Sequence, residues 1–254
     1  MTPEIWLLAG GAFAAGLIDA VVGGGGLIQV PLLLAVFPST PIALLFGTNK
    51  LASIVGTGGA SWQYARALDV PWRLALPAAL AALPGSGLGA AAVSFLPPAS
   101  VRPLVFVLLL AVGLYTWLKP DFGHLQGHGR IQKHRAWVAA LLGFVLGFYD
   151  GFFGPGTGSF LIFGMVALFG LDMLHASASA KFVNVATNLA ALIYFASTGS
   201  VLWQVGLIMA AANFAGGQVG AHLSLKHGSR FVRLALLVIV GILLAKIGRD
   251  LLLS

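Results

Sequence analysis

The stretch "DAVVGGGGL", residues 19–27, places a carboxylate and four consecutive glycines inside an apolar segment. Glycine lacks a Cβ and tolerates backbone conformations that end a helix, so this run predicts a helix break within the membrane. The stretch "DGFFGPGTG", residues 150–158, repeats the pattern in the second half of the chain and adds a proline, a second helix breaker. We therefore expect two broken or re-entrant glycine-rich helices.

The composition around these stretches is that of a membrane protein. Of the 254 residues, 59% are hydrophobic and 8% are charged, whereas soluble domains carry about 25% charged residues. Several apolar runs approach the ~20 residues that a helix needs to cross the hydrocarbon core. The long runs lack the strict alternation of porin strands. The sequence therefore predicts an all-α polytopic membrane protein in contact with lipid.

Composition and motifs also argue against other classes of protein. The chain has no cysteine, which excludes disulfides and thiolate metal sites. It has neither a His-Glu-x-x-His nor a Gly-x-Ser-x-Gly motif, so we predict no metal site, no cofactor and no enzyme activity. Its net charge of +7 clusters between apolar runs, which favours basic cytoplasmic loops over a nucleic-acid surface.

The two halves of the chain align without a gap, over most of their length, at a shift of 131 residues (150 − 19). Asp19 then coincides with Asp150, and Lys50 coincides with Lys181. Hydrophobicity alone would not align such residues. We predict two transmembrane repeats, 1–118 and 136–254, joined by a basic linker, 119–135.

Each predicted repeat contains five apolar segments. In the first repeat they are 5–22, 27–37, 42–62, 70–95 and 102–118. In the second they are 136–153, 159–170, 173–198, 202–225 and 231–248. The second segment of each repeat is short for a full crossing, so it either crosses or re-enters as part of a broken helix.

An odd number of segments would invert the second repeat relative to the first. The basic linker is predicted to be cytoplasmic by the positive-inside rule, and the alternation of basic loops agrees with inversion. Both termini would then face outward, and Lys246 and Arg249 near the C-terminus are mild evidence against that. Inverted repeats with broken helices are typical of secondary transporters, whose sites lie near the membrane midplane.

A lysine lies within an apolar segment of each repeat. Lys50, Ser53 and Thr57 are spaced i, i+3, i+7 and so share one helical face. A charge in mid-membrane costs ~2.5–3.5 kcal/mol, so it needs a partner or a wet cavity. The stripe indicates either a site for a small anion or a lysine that snorkels to the interface. We favour the anion site because the stripe recurs, and the candidate residues are Thr48, Asn49, Lys50, Ser53 and Thr57 with Lys181, Asn184 and Asn188.

The glycine breaks add a second group of candidate anion ligands. Broken helix ends expose backbone N–H groups at a positive dipole end. A tight turn or close helix packing is the alternative interpretation, and the Gly-x-x-x-Gly pairs at 85–89 and 216–220 indicate packing. The candidate ligands are Gly24, Gly25, Gly26, Gly156, Thr157, Gly158 and Ser159.

Two carboxylates, Asp19 and Asp150, lie four residues before these breaks. A carboxylate in the membrane acts as a proton carrier or as the counter-ion of a lysine. A third interpretation is an Asp–Lys pair that only offsets two burial costs. The sequence leaves these roles open.

With these residues the chain resembles the TauE/SafE (TSUP) family of sulfite and organosulfonate exporters. The resemblance rests on "GLIDAVVGGGGLIQVP" and "GTNKL" in the first half, and on "GFYDGFFGPGTGSF" and "SASAKFVNVATNL" in the second. It covers essentially the whole chain. It implies a multi-pass transporter of the bacterial inner membrane that exports small sulfur-containing anions such as sulfite, sulfoacetate or a related sulfonate.

The family's motifs fall on particular positions of this sequence. Its glycine-rich signatures correspond to residues 23–26 and 154–158, and its polar helix motifs to Thr48, Asn49 and Lys50 and to Lys181, Asn184 and Asn188. Ala180 stands opposite Asn49 in the repeat alignment, so the two sites are not expected to be equivalent.

The predicted function is therefore secondary transport of a small anion by alternating access around a midplane site, with a proton or another ion as the candidate coupling partner. A passive anion channel on the same scaffold is the first alternative, and an intramembrane enzyme is a weaker one.

Overall fold

The computed structural model describes residues 3–95, 107 and 133–252, and it is helical throughout, with no strand in these ranges. The fifth predicted segment, 102–118, and most of the linker, 119–135, lie outside the described residues. The helices are α1 (Pro3–Val22), α2 (Gly26–Val36), α3 (Ile42–Ala67), α4 (Trp72–Ser94), α5 (Arg135–Phe152), α6 (Thr157–Phe169), α7 (Met173–Ser197) and α8 (Trp203–Leu252). The all-α prediction is confirmed.

The helices expose large apolar side chains on the outer surface and bury several polar and charged ones among apolar clusters. By length and hydropathy, three described stretches are able to cross a membrane, namely Pro3–Val22, Trp72–Val93 and Arg135–Phe152. Large side chains such as Trp6 and Trp137 are exposed on the outer surface, whereas Lys50 and Lys181 are buried. This distribution is that of a polytopic membrane protein, in which lipid surrounds the apolar surface.

The helical structure is interrupted at both glycine runs, as the sequence predicts. Gly23, between α1 and α2, has a φ of +77°, and Gly154 and Gly156, between α5 and α6, have φ values of +93° and +85°. Side chains with a Cβ rarely adopt this left-handed region. The glycines therefore decide where each long helix ends and the short one begins.

Each short helix folds back along the helix before it. Arg135, at the start of α5, donates a 2.9 Å hydrogen bond from Nη2 to the carbonyl of Phe169, at the end of α6. In the other half, a Cβ on Gly11 of α1 would overlap Leu32 of α2. The 13 residues of α6 extend only about 20 Å. The short segments at 27–37 and 159–170 are thus the returning arms of two helical hairpins.

The two hairpins meet at their tips. A Cβ on Gly23 would overlap the backbone of Gly158, and one on Gly26 would lie 3.1 Å from Cα of Pro155. The start of α3 lies beside the end of α7, where the Leu202 amide donates to Oγ1 of Thr48 at 2.9 Å. Since α3 follows the first hairpin and α7 follows the second, the hairpins enter the bundle from opposite ends.

Glycines also bring the outer helices close together. A Cβ on Gly85 or Gly89 of α4 would overlap main-chain oxygens of α5, and one on Gly216 or Gly220 of α8 would overlap main-chain oxygens of α1. These are the Gly-x-x-x-Gly pairs of the sequence, and they pack backbone against backbone. The pairs 85–144 and 216–13 are related by the same shift of 131 residues, and the division into two repeats stays a prediction.

Asp172 caps the start of α7. Its Oδ1 accepts hydrogen bonds from the amides of Leu174 and His175 at 3.0 and 3.2 Å and from the Ser229 hydroxyl at 2.8 Å. Partial burial raises the pKa of this carboxyl, but the bonds from Ser229 and His175 outweigh burial and hold the pKa below its ordinary value. The cap thereby joins the start of α7 to α8, beside Gly228, which has a φ of +70°.

Candidate functional site

A polar cavity lies where the hairpin tips meet α3 and α7. Its volume is about 20 Å³, which is room for about one water molecule. Both halves of the chain contribute to its wall. The lining residues are Asp19, Gly23, Gly26, Asn49, Lys50, Ser53, Thr57, Asp150, Gly154, Thr157, Gly158, Asn184 and Asn188.

Lys50 is the lysine that faces this cavity. It is 3% exposed, and its Nζ lies 2.5 Å from Oδ2 of Asp150 and 2.8 Å from the main-chain oxygen of the same residue. An ammonium group has three N–H donors, so one remains for a ligand in the cavity. A Cβ on Gly154 would lie 3.3 Å from Nζ, so the glycine leaves room for the ammonium.

Lys181 occupies the corresponding position in the second half but does not line the cavity. It is fully buried, and its Nζ lies 3.4 Å from Oδ2 of Asp19. Asp19 also accepts hydrogen bonds from Oγ1 of Thr57 at 3.1 Å and from the Gly25 amide at 3.4 Å. Asp19 therefore has three donors, whereas Lys50 is the single donor to the Asp150 carboxylate among the described residues.

Each lysine pairs with the aspartate of the other half. Lys50 and Asp150 are 100 residues apart, and Lys181 and Asp19 are 162 residues apart. An Asp–Lys pair was one interpretation of the sequence, but no sequence signal indicated that each lysine would pair with the aspartate of the other half, an arrangement that we call the exchange of partners. The exchange joins the first hairpin to α7 and the second hairpin to α3.

Eleven of the residues expected at the site line the cavity. From α3 and α7 come Asn49, Lys50, Ser53, Thr57, Asn184 and Asn188, and from the hairpins come Asp19, Gly26, Asp150, Thr157 and Gly158. Two further lining residues, Gly23 and Gly154, were not among the candidate ligands, although both begin the family's glycine-rich signatures at residues 23–26 and 154–158.

Six of the expected residues do not line the cavity: Thr48, Lys181, Gly24, Gly25, Gly156 and Ser159. The Thr48 hydroxyl donates to the Leu44 carbonyl at 2.6 Å, in addition to accepting from Leu202. The Ser159 hydroxyl donates to the Val22 carbonyl at 2.7 Å and so fastens one hairpin to the other. These two hydroxyls hold helices together in the observed state, and a role in substrate binding stays a prediction.

The remaining wall of the cavity offers polar groups without partners. Asn49 and Asn184 each have a buried side-chain oxygen that accepts no hydrogen bond. Gly26 lies at the start of α2, and Thr157 and Gly158 lie at the start of α6, where the positive end of the helix dipole favours negative charge. The amides of Leu27, Ile28 and Thr157 already donate to the carbonyls of Gly24, Gly25 and Gly154 at 3.0, 3.1 and 3.2 Å. The cavity thus combines one ammonium N–H and two helix N-termini with the acceptor oxygens of two asparagines and the paired carboxylates of Asp19 and Asp150.

Comparisons with known proteins agree with this architecture. The family model described as "Sulfite exporter TauE/SafE" matches residues 8–247. A probable membrane transporter protein, ORF9, of Sinorhizobium sp is 42% identical over 92% of this chain and 88% of its own length. A probable membrane transporter protein of Haemophilus influenzae is 35% identical over 94% of this chain and 92% of its own length.

A third relative, the probable membrane transporter protein YfcA of Escherichia coli K12, is 33% identical over 94% of this chain and 87% of its own length. No solved structure matches the chain. The family predicted from the glycine and lysine motifs is confirmed, and the names of the relatives indicate a transporter rather than an enzyme. The chain belongs to the TauE/SafE family of membrane transporters.

Proposed function

We propose that the protein is a secondary transporter that carries a small sulfur-containing anion, sulfite or a sulfonate, across the bacterial inner membrane. Export is the direction that the family description suggests. The observation that carries the proposal is the cavity between the hairpin tips, where Lys50 keeps one N–H free. Two helix N-termini and two asparagines surround the same space.

The chemistry of this wall suits a compact oxyanion. Sulfite and sulfonates present three oxygens around one sulfur, and each oxygen accepts hydrogen bonds. Lys50 supplies a charge-assisted donor, and the positive dipole ends of α2 and α6 lie at the same cavity, although the first amides of each helix include ones that already donate to carbonyls of their own turn. A cation would meet the same helix ends with unfavourable electrostatics.

The small size of the cavity favours a carrier over a permanently open channel. A volume of about 20 Å³ holds one water, so a sulfonate enters only if the hairpins move apart. We propose that repeats 1–118 and 136–254 are inverted, that the linker is cytoplasmic, and that one repeat rocks against the other to open the cavity to each side in turn.

The test is binding and flux with purified protein. Sulfite, sulfoacetate, isethionate and taurine are compared with a cation control, first by thermal shift in detergent and then by uptake into proteoliposomes. Loss of one charge-assisted hydrogen bond removes about 1.5–3 kcal/mol. Lys50→Ala should therefore weaken binding of the preferred anion by roughly 10- to 100-fold.

Lys226→Ala is the matched control because Lys226 is an exposed lysine remote in sequence from the cavity-lining segments. The Lys226→Ala variant should bind the preferred anion with the affinity of the wild type. If no anion shifts the melting temperature or crosses the membrane, or if Lys50→Ala binds as the wild type does, the anion site is wrong.

The same liposomes separate the alternatives. A carrier shows counterflow, in which unlabelled anion on one side drives labelled anion uphill. Flux that never runs uphill, at rates far above those of carriers, would indicate a channel. Chemical conversion of a substrate by the purified protein would indicate an enzyme.

A further inference from the structure

The two ion pairs leave the cavity region electrically neutral before any substrate enters. Lys50 and Lys181 contribute two positive charges, and Asp19 and Asp150 contribute two negative ones. An anion that enters this buried region adds an uncompensated charge in a low-dielectric environment, which is strongly unfavourable. The two helix N-termini offset part of this cost, and a positive charge that arrives with the anion would offset the rest.

We propose that Asp150 binds one proton as a univalent anion enters, so that the protein moves one proton and one univalent anion together, in the same direction and without net charge. This inference rests on the proposed function, since it concerns the same cavity. The proton comes from water on the loading side, adds to the Asp150 carboxylate and leaves with the anion on the other side.

The contacts of the two aspartates select Asp150 as the proton acceptor. Asp19 receives an ammonium, a hydroxyl and a backbone amide, and all three donors favour its ionised form. Asp150 receives only the Lys50 ammonium among the described residues, and since both aspartates line the cavity, the number of donors is what distinguishes them. Neutralising Asp150 therefore breaks one bond, whereas neutralising Asp19 weakens three.

Lys50 stays in place when Asp150 is neutral. Its bond of 2.8 Å to the main-chain oxygen of Asp150 does not depend on the carboxylate. That oxygen lies in the last turn of α5, where the negative end of the helix dipole favours a cation. The N–H that had bonded to the carboxylate is then free, so Lys50 offers two donors to the anion instead of one.

The charged and titratable groups around Asp150 include one other carboxylate, that of Asp19, whose three donors are described above. On α5 itself, the Tyr149 hydroxyl donates to the Pro155 carbonyl at 2.7 Å. Helix α3 contributes Lys50, α1 contributes Asp19, and α7 contributes Lys181. Helix α6 has no charged residue, and the one charged residue of α4 is Arg73 at its start, away from this level.

One-to-one coupling has a thermodynamic consequence for the direction of transport. Because no net charge moves, the membrane potential does not drive or oppose the cycle. The anion flows outward whenever its inside-to-outside ratio exceeds the opposing proton ratio, which is about tenfold for each pH unit. Export of an accumulated anion and proton-driven uptake are then the same cycle under different gradients.

The test measures the ratio of protons to anions in proteoliposomes that contain a pH-sensitive dye. Isethionate is the probe because its sulfonate stays ionised, so the anion itself carries no proton. For the wild type we expect one proton per isethionate, in the same direction, and a rate that a potassium diffusion potential does not change. Isethionate affinity should also fall as pH rises, by at most tenfold per unit.

Asp150→Asn keeps the shape of the side chain but accepts no proton. In the isethionate flux that remains, the number of protons per isethionate should fall to near zero. The potassium diffusion potential should then change the rate of that flux, because net charge moves. In Asp19→Asn, the isethionate flux that remains should still carry one proton per isethionate.

The outcomes separate the two proposals. Anion flux without accompanying protons in the wild type would overturn this inference and leave the proposed function standing. No flux of any anion would overturn the proposed function. A ratio of one that persists in Asp150→Asn would overturn the assignment to Asp150, and the wild-type ratio decides the coupling even if that variant does not fold.

Discussion

The pair Lys50–Asp150 and the pair Lys181–Asp19 are made from the same residue types at equivalent positions, yet their surroundings differ. Lys50 lies on the cavity, and it is the single donor to the Asp150 carboxylate among the described residues. Lys181 is enclosed, and its aspartate has two further donors. The difference shows that a duplicated ion pair need not have duplicated surroundings, and it underlies the proposal that the Lys50 pair responds to a ligand while the Lys181 pair holds the hairpin.

The largest expected difference comes from removing each aspartate. Asp19→Ala leaves the fully buried Lys181 without its counter-ion, and breaking such a pair lowers the free energy of unfolding by about 3–5 kcal/mol. Asp150→Ala should lower it less, because Lys50 keeps the main-chain oxygen at 2.8 Å and can be hydrated from the cavity. Thermal unfolding in detergent measures both.

Asp69→Ala serves as the control for that experiment, since Asp69 is exposed and such a change usually stays within about 0.5 kcal/mol. Equal losses for Asp19→Ala and Asp150→Ala would mean that the two pairs stabilise the fold equally, and the reverse order would mean that the Lys50 pair stabilises it more; either result would show that the comparison is wrong.

A smaller loss of stability is expected from Gly154→Ala, which tests whether the space beside Lys50 matters for the Lys50–Asp150 pair. Gly154 has a φ of +93°, and a left-handed residue with a Cβ loses roughly 1–2 kcal/mol. The new Cβ would also lie 3.3 Å from Nζ of Lys50, so anion affinity should fall as well as stability. Isethionate binding and thermal unfolding are measured on the same sample.

Gly58→Ala is the matched glycine variant, because a Cβ there meets nothing within 4 Å. In the helix α3 this change should leave stability equal or raise it by up to about 1 kcal/mol. If Gly154→Ala binds isethionate as tightly as Gly58→Ala does, the space beside Lys50 is not needed for the site.

The smallest effect is expected at Asp172, which caps α7 on the Lys181 side of the molecule. Asp172→Ala should lower stability by about 1 kcal/mol at neutral pH through loss of the cap. Because the pKa of this carboxyl is lower in the folded protein, its stabilising contribution is full above the ordinary value and is lost as the pH falls through the folded value. Unfolding measured from pH 7 downward should show the variant and the wild type converge below about pH 4, and a constant difference would exclude this carboxylate as the cause.

The helix breaks and the polar lining were predictable because they depend on local chemistry. Glycine is the residue that adopts a φ of +77° or +93° without strain, so the breaks at Gly23 and Gly154 follow from residue type. The i, i+3, i+7 spacing of Lys50, Ser53 and Thr57 likewise fixes a shared helical face, and all three line the cavity.

The roles of the two lysines were not predictable from the same patterns. Their partners lie 100 and 162 residues away, and no local periodicity encodes which aspartate approaches which lysine. The repeat alignment also suggested that Lys181 would face a ligand as Lys50 does. One contact behind the difference is Thr57, which donates to Asp19, whereas Asn188 in the equivalent position shows no bond to Asp150.

The exchange of partners makes each half of the chain chemically incomplete. Lys50 and Asp19 belong to the first half, yet each finds its counter-charge in the second, so neither half alone forms either ion pair, although each half carries one positive and one negative group. Halves produced as separate polypeptides would form both ion pairs only after they associate, so the connection between the halves keeps each lysine near its aspartate.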